Sequence, residues 1–140
     1  MKIVGFNFTK ISVERLKDKI ESLKFNTKID LSSIESLKSD LFRAKEEFLK
    51  INFSYLITYE PEIAKLEFIG TLILAVEPKI AKEILKGWED KKTSEEFKLF
   101  VFNIIFKKAN IKALQFEDEL NLPPHIPLPS INKGNAKKED

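Results

Sequence analysis

From Leu49 to Tyr59 the chain alternates. Leu49, Ile51, Phe53, Tyr55, Ile57 and Tyr59 fall on one parity, and Lys50, Asn52, Ser54, Leu56 and Thr58 on the other. Successive side chains of an extended strand point to opposite faces, so this segment belongs in a sheet with one face buried. Glu60-Pro61-Glu62 ends the run, because proline has no N–H for a ladder. A second alternation follows, with Ala64, Leu66, Phe68, Leu72, Leu74 and Val76 on one parity and Lys65, Glu67 and Thr71 opposite. Two long alternating runs joined by a short turn form an antiparallel hairpin. From Ile69 onward the second run is apolar on both parities, so that end is expected to be covered on both sides. Gly70 within it suits a bulge or a close backbone approach.

Two further strands precede the hairpin. Phe6 and Phe8 share one phase, Ile11 and Val13 the other, which predicts a bulge at Thr9-Lys10. Phe25, Thr27, Ile29 and Leu31 alternate again. Between them, Leu16, Ile20 and Leu23 stand at helical spacing among charged residues, consistent with a short helix or a crossover arm.

After Val76 the period changes to that of a helix. Pro78 suits a first turn, and Ile80, Ala81, Ile84, Leu85 and Trp88 form one apolar stripe, predicting a helix over 78–92. Thr93-Ser94-Glu95-Glu96 has the pattern of a capping box and opens a second helix over 94–108. Its apolar residues, Phe97, Leu99, Phe100, Val101, Phe102, Ile104, Ile105 and Phe106, occupy nearly the whole circumference. One sheet covers one side of such a helix, so a second subunit is the economical cover for the rest. Phe97, Phe100, Val101, Ile104 and Ile105 are the expected oligomer-interface residues, in a homodimer or homotetramer. A short amphipathic helix is predicted over 113–120. Four prolines between Pro123 and Pro129 then force an extended chain. Residues 1–129 read as one domain and 130–140 as a disordered tail.

Composition excludes most chemistry. Cysteine is absent from the 140 residues and His125 is the one histidine, so disulfides, thiol nucleophiles and Cys- or His-rich metal sites are out. Glycine occurs only at Gly5, Gly70, Gly87 and Gly134, which leaves no phosphate-binding loop and no nucleophile elbow. Glu46-Glu47 precedes a strand, and Glu95-Glu96 lies in a first helical turn where acids favour the dipole. His125 in the proline-rich loop reads as a surface histidine rather than a ligand. No catalytic residue, metal or cofactor is expected.

The net charge of +2 is too balanced for an obvious polyanion binder. Residues 78–112 nevertheless carry nine lysines against five acids. The alternative function is therefore a ribosome- or RNA-associated accessory protein using these lysines, although nucleic acid remains the less favoured partner. The opening residues lack the apolar stretch of a signal peptide, and the most apolar runs are far short of the ~20 residues that span a bilayer. A cytoplasmic location without membrane insertion is the expectation. The strongest functional signal is apolar excess: the arm 16–25, the helix 94–108 and the loop 114–128 offer more apolar surface than one sheet hides.

Three stretches in this order resemble the SecB family of protein-export chaperones. Thr27-Lys28-Ile29-Asp30-Leu31-Ser32-Ser33 is similar to that family's second strand, and Phe48 to Val76 to its third and fourth strands. The helix 94–108, followed by Ala113-Leu114-Gln115-Phe116 and Leu120-Asn121-Leu122-Pro123-Pro124, is similar to its main helix and helix-connecting loop. The Lys-rich composition places the likeness closer to an archaeal SecB-like protein. The resemblance implies an α+β fold, a four-stranded antiparallel sheet with helices packed on one face. It also implies ATP-independent holding of unfolded polypeptide clients, by an oligomer that pairs through the long helix. Leu16, Ile20, Leu23 and Phe25 would then form one lip of a client groove, and Phe116, Leu120 and Leu122 the other. SecB proteins engage the SecA motor partly through acidic sheet residues; the near-neutral charge here weighs against SecA coupling.

Overall fold

The computed structural model describes residues 1–37 and 46–131. The part of the expected tail from 132 to 140 lies outside them; Ser130 and Ile131 are exposed and irregular. Four strands, β1 (Lys2–Arg15), β2 (Lys24–Leu37), β3 (Glu47–Glu60) and β4 (Ala64–Val76), precede two helices, α1 (Pro78–Glu89) and α2 (Glu95–Glu119). The sheet order is β1-β4-β3-β2 and every neighbouring pair is antiparallel. The hairpin of β3 and β4 therefore forms the centre and the two weaker strands the edges. The α+β class and the four-stranded sheet backed by helices on one face are as expected.

One face of the hairpin makes the core. Leu49, Ile51, Phe53, Ile57, Tyr59, Leu66, Phe68, Leu72 and Leu74 are all fully buried. The register of β1 slips between Phe8 and Lys10, as the phase change predicts, and again between Ile3 and Gly5. Because of the bulge, Phe6 and Phe8 before it and Ile11 and Val13 after it all pair with inward-facing positions of β4. Gly70 is a close approach: a Cβ there would stand 2.5 Å from the Asn7 carbonyl oxygen and 2.6 Å from Phe53 Cζ. The space is taken by aromatic rings, with Phe53 5.3 Å from Phe6 and Phe8 5.8 Å from Phe68. At the apolar end of β4, Ala75 and neighbouring Phe48 are buried on the outer side, while Ile69 and Ile73 keep part of their surface.

Lys10, Lys28, Lys50 and Lys65 are interleaved on that outer face with Glu14, Asp30, Glu35 and Glu67. The sheet thus presents a charge checkerboard rather than an acidic surface.

The helices differ from expectation in extent. The first ends at Glu89, where Lys91 at φ 57 and the bond from Lys92 N–H to the Gly87 carbonyl close it. The second opens on Ser94, whose side chain accepts from the Phe97 amide, so Ser94 rather than Thr93 is the cap. It then runs unbroken to Glu119, absorbing the separate helix expected over 113–120. No proline or glycine interrupts residues 94–119, and Ala109 and Ala113 extend the buried stripe through that stretch. Leu120-Asn121-Leu122 ends it by a definite mechanism. Asn121 takes φ 54, its N–H bonds the Asp118 carbonyl, and Leu122 N–H bonds the Glu117 carbonyl at 2.8 Å. This Schellman arrangement turns the chain back and tucks Leu122 under the helix end.

Phe97, Val101, Ile105, Ala109, Ala113 and Glu117 form the buried stripe of α2. Phe97, Val101 and Ile105 are therefore core residues of the subunit itself, a correction to the expected interface. Phe100 and Ile104 remain half-buried, and Leu99 and Ile111 are 61% and 53% exposed. The apolar surface left on α2 therefore keeps Phe100 and Ile104 of the expected set and adds Leu99 and Ile111.

Candidate functional site

β1 and β2 occupy opposite edges of the sheet, so residues 16–23 must cross its end. Three inter-strand spacings are about 14 Å, a gap that eight residues bridge without being fully stretched. The segment forms an irregular arm and not a helix. Leu16 N–H donates to the Ile63 carbonyl at 2.7 Å and Lys17 Nζ to the Pro61 carbonyl at 2.9 Å, tying the arm to the β3–β4 turn.

Arg15 fixes both the arm and the far loop. Its guanidinium donates to the carbonyls of Lys17 (2.9 Å) and Asp18 (2.7 Å) on the arm, and of Leu120 and Asn121 (2.9 Å each) at the end of α2. Five fixed donors make arginine able to serve four carbonyls at once. They also place positive charge at the negative end of the helix dipole, where α2 has no basic residue of its own.

Tyr59 joins the same two elements from below. Its ring stands edge-on to Phe25 at 4.8 Å, and its hydroxyl donates to the Pro123 carbonyl. The two expected lips are thus brought together around Arg15 and Tyr59. Their residues are not equally available. Leu16 is 56% exposed and Phe25 36%, whereas Ile20, Leu23, Phe116 and Leu120 are partly buried against the core. Leu122, at 5% exposure, belongs to the core, a correction to its expected place on the groove lip.

His125 is not a surface histidine. Its side chain and that of Glu117 are each 1% exposed and pair at 2.7 Å between Nδ1 and Oε2. Nε2 lies 2.9 Å from Asn110 Oδ1, which also accepts from the Tyr55 hydroxyl at 2.8 Å. The His125 amide donates to Glu117 Oε1 at 3.1 Å. Burial, and secondarily the Glu117 charge, pushes the Tyr55 hydroxyl up to about 12; the same causes push Tyr59 higher still. Asn110 and Glu117 are seven positions apart, two helical turns, so the continuous helix puts both on the face the loop folds against. Nothing short of that continuity signals the cluster in the sequence.

Chemically, the assembly offers apolar side chains on a backbone tied at both ends. Among the described residues there is no cluster of His, Asp and Glu able to hold a metal, and no helix long and apolar enough to cross a membrane.

No family model matches the chain, and no curated protein sequence does. A solved structure does: the Mycobacterium tuberculosis SecB-like chaperone Rv1957, in complex with a ChAD peptide from the Rv1956 HigA1 antitoxin. The match covers 94% of this chain and 89% of that one at a TM-score of 0.55. The fold is SecB-like. With 8% of residues identical, the likeness is one of architecture.

Proposed function

We propose that this chain is a polypeptide-binding chaperone that holds non-native clients without ATP. The observation that carries the reading is the convergence of arm and loop on Tyr59, with Leu16 and Phe25 left exposed beside them. A monomer that only needed to be soluble would gain from burying or replacing these side chains. Apolar surface with loose geometric demand is what a binder of many sequences requires. Each fully buried Leu or Phe contributes roughly 1.5–3 kcal/mol, so a few contacts give useful affinity. The similar fold solved with a bound peptide supports carrying polypeptide binding over to this chain. The protein acts as a homodimer or homotetramer through the outer face of α2, where Leu99, Phe100, Ile104 and Ile111 lie, and repeated grooves add avidity. No bond is made or broken and no catalytic residue is needed. The checkerboard charge of the outer sheet face supports a role uncoupled from SecA.

The test is suppression of aggregation of an unfolding protein in the absence of nucleotide. Wild type is compared with Leu16/Ile20/Leu23→Ser and with the milder pair Leu16→Ser/Phe25→Ser, whose sites are exposed. Protection by wild type and its loss in both variants is the expected result. An intact, oligomeric wild type that gives no protection overturns the chaperone reading. Equal protection by folded variants overturns the groove assignment alone.

A further inference from the structure

Among the described residues, His125 and Glu117 are the one ion pair taken wholly out of water. The Nδ1 atom faces both Glu117 carboxylate oxygens, at 3.0 and 2.7 Å, and Nε2 faces Asn110 Oδ1 at 2.9 Å. Both ring nitrogens thus face oxygens, an arrangement that an imidazolium would satisfy with its two N–H groups. The ring is faced from α2 by Glu117 and Asn110 and from β3 by Tyr55, while Tyr59 holds Pro123 beside it. The Arg15 guanidinium sits on the Leu120 and Asn121 carbonyls at the same helix end. Both tyrosines keep their protons well into alkaline solution, and Arg15 does not titrate. His125 and Glu117 are left as the groups able to change charge here.

The pair is also mechanically placed. It holds the first residues of the proline-rich segment, whose Leu122 plugs the space under the helix end and whose Pro123 covers the Tyr59 hydroxyl. A buried ion pair is costly to break by removing one charge, because the other is left uncompensated. We infer that the His125–Glu117 pair is a proton-read latch on the loop lip: residues 122–126 stay closed over Tyr59 while imidazolium faces carboxylate, and lift when the ring gives up its second proton. The consequence for clients rests on the polypeptide-binding reading. Lifting bares Leu122 and Tyr59 beside Phe25 and enlarges the apolar groove.

The sign follows from linkage. The closed segment holds a proton that the open one releases, so rising pH favours the open state by mass action.

His125 is the single histidine of the chain, so its ring nitrogens give the one imidazole signal in nitrogen-15 spectra of the full-length protein. Hydrogen exchange at the amides of Leu122 and His125, both bonded to Glu117, reports closure. The expected result is that ring deprotonation and an at least tenfold loss of amide protection, corrected for intrinsic exchange, share one midpoint as pH rises. In His125→Gln the corrected protection should not depend on pH. A neutral ring in the protected state, or a ring that titrates with protection unchanged, overturns the latch. Should His125→Gln fail to fold, the wild-type midpoints decide alone. Affinity for reduced, carboxymethylated lactalbumin should rise at least threefold through the same midpoint. If coupling is seen but this probe binds at no pH, the latch stands and the chaperone reading falls.

Discussion

The Arg15 guanidinium donates through Nη1 to the Leu120 carbonyl at 2.9 Å, joining the end of β1 to the end of α2 across 105 positions of sequence. The same side chain serves the arm, so one residue sets the distance between the two sides of the proposed groove. Replacing Arg15 with Ala is expected to cost about 2 kcal/mol, since hydrogen bonds from charged donors contribute roughly 1.5–3 kcal/mol and these share one group. Arg15→Lys should recover less than half of that, because one ammonium cannot reach both carbonyl pairs. Urea midpoints for the three proteins check the order.

Gly70→Ala should be among the most damaging single-methyl additions in the chain. The new Cβ would meet the Asn7 backbone oxygen at 2.5 Å, which no side-chain rotation relieves. Overpacking in a tight core costs about 1–3 kcal/mol, and here the β1–β4 ladder must also part, so about 3 kcal/mol is expected. Gly5→Ala is the control: its Cβ meets only Ile73 at 3.5 Å, ordinary contact, and should change stability by under about 0.5 kcal/mol. Equal losses would contradict the geometry.

Within the two lips, exposure separates function from stability. Leu16→Ser should alter the unfolding free energy by no more than about 0.5 kcal/mol while weakening client binding severalfold. Leu122→Ala, at a buried site, should cost about 2–4 kcal/mol. Denaturation and binding measured on the same preparations distinguish the two.

On α2, charge at Leu99 or Ile111 should dissociate the proposed oligomer and leave the subunit folded, since both side chains are exposed. Val101→Asp should instead unfold it, because Val101 is fully buried. Sedimentation with circular dichroism reads both effects; a Leu99→Asp/Ile111→Asp protein that stays oligomeric would remove α2 as the assembly face.

Alkali should destabilise the fold through its buried tyrosines. An unfolded tyrosine ionises near 10.0, whereas the buried Tyr55 keeps its proton up to about 12. Between those values the unfolded chain binds fewer protons than the native one, so stability present below about pH 10 is lost as pH rises. Tyr55→Phe should lessen this fall, at a cost of about 1 kcal/mol at neutral pH from the lost bond to Asn110. Urea midpoints at about pH 9 and about pH 11 provide the comparison.

Sequence order alone determined the architecture where one physical rule acted over many consecutive residues. Period two from Leu49 to Val76 gave the central hairpin, and the phase slip at Thr9-Lys10 gave the bulge, because side-chain alternation is a local consequence of extended backbone. Gly70 suits either a bulge or a close approach in the sequence, and the packing of Asn7 and Phe53 against it makes it the latter. The arm stayed undecided between helix and crossover, since Leu16, Ile20 and Leu23 satisfy either. Only the tertiary structure decides it, where Leu16 and Lys17 bond to carbonyls of the β3–β4 turn and hold the segment as an irregular arm. The extent of α2 and the inward turn of Phe97, Val101 and Ile105 likewise depended on which side of an all-apolar helix met the sheet, which composition around the circumference cannot specify.

The polar groups at the site were decided by tertiary structure throughout. Arg15 and His125 look like an ordinary surface arginine and a loop histidine; each acquires its role from carbonyls or side chains placed by other elements. Apolar burial follows a pattern repeated along the chain, and a pattern can be read. A hydrogen bond needs two groups within about 3 Å of each other, and between residues 105 positions apart that distance exists only once the sheet and the helix have packed.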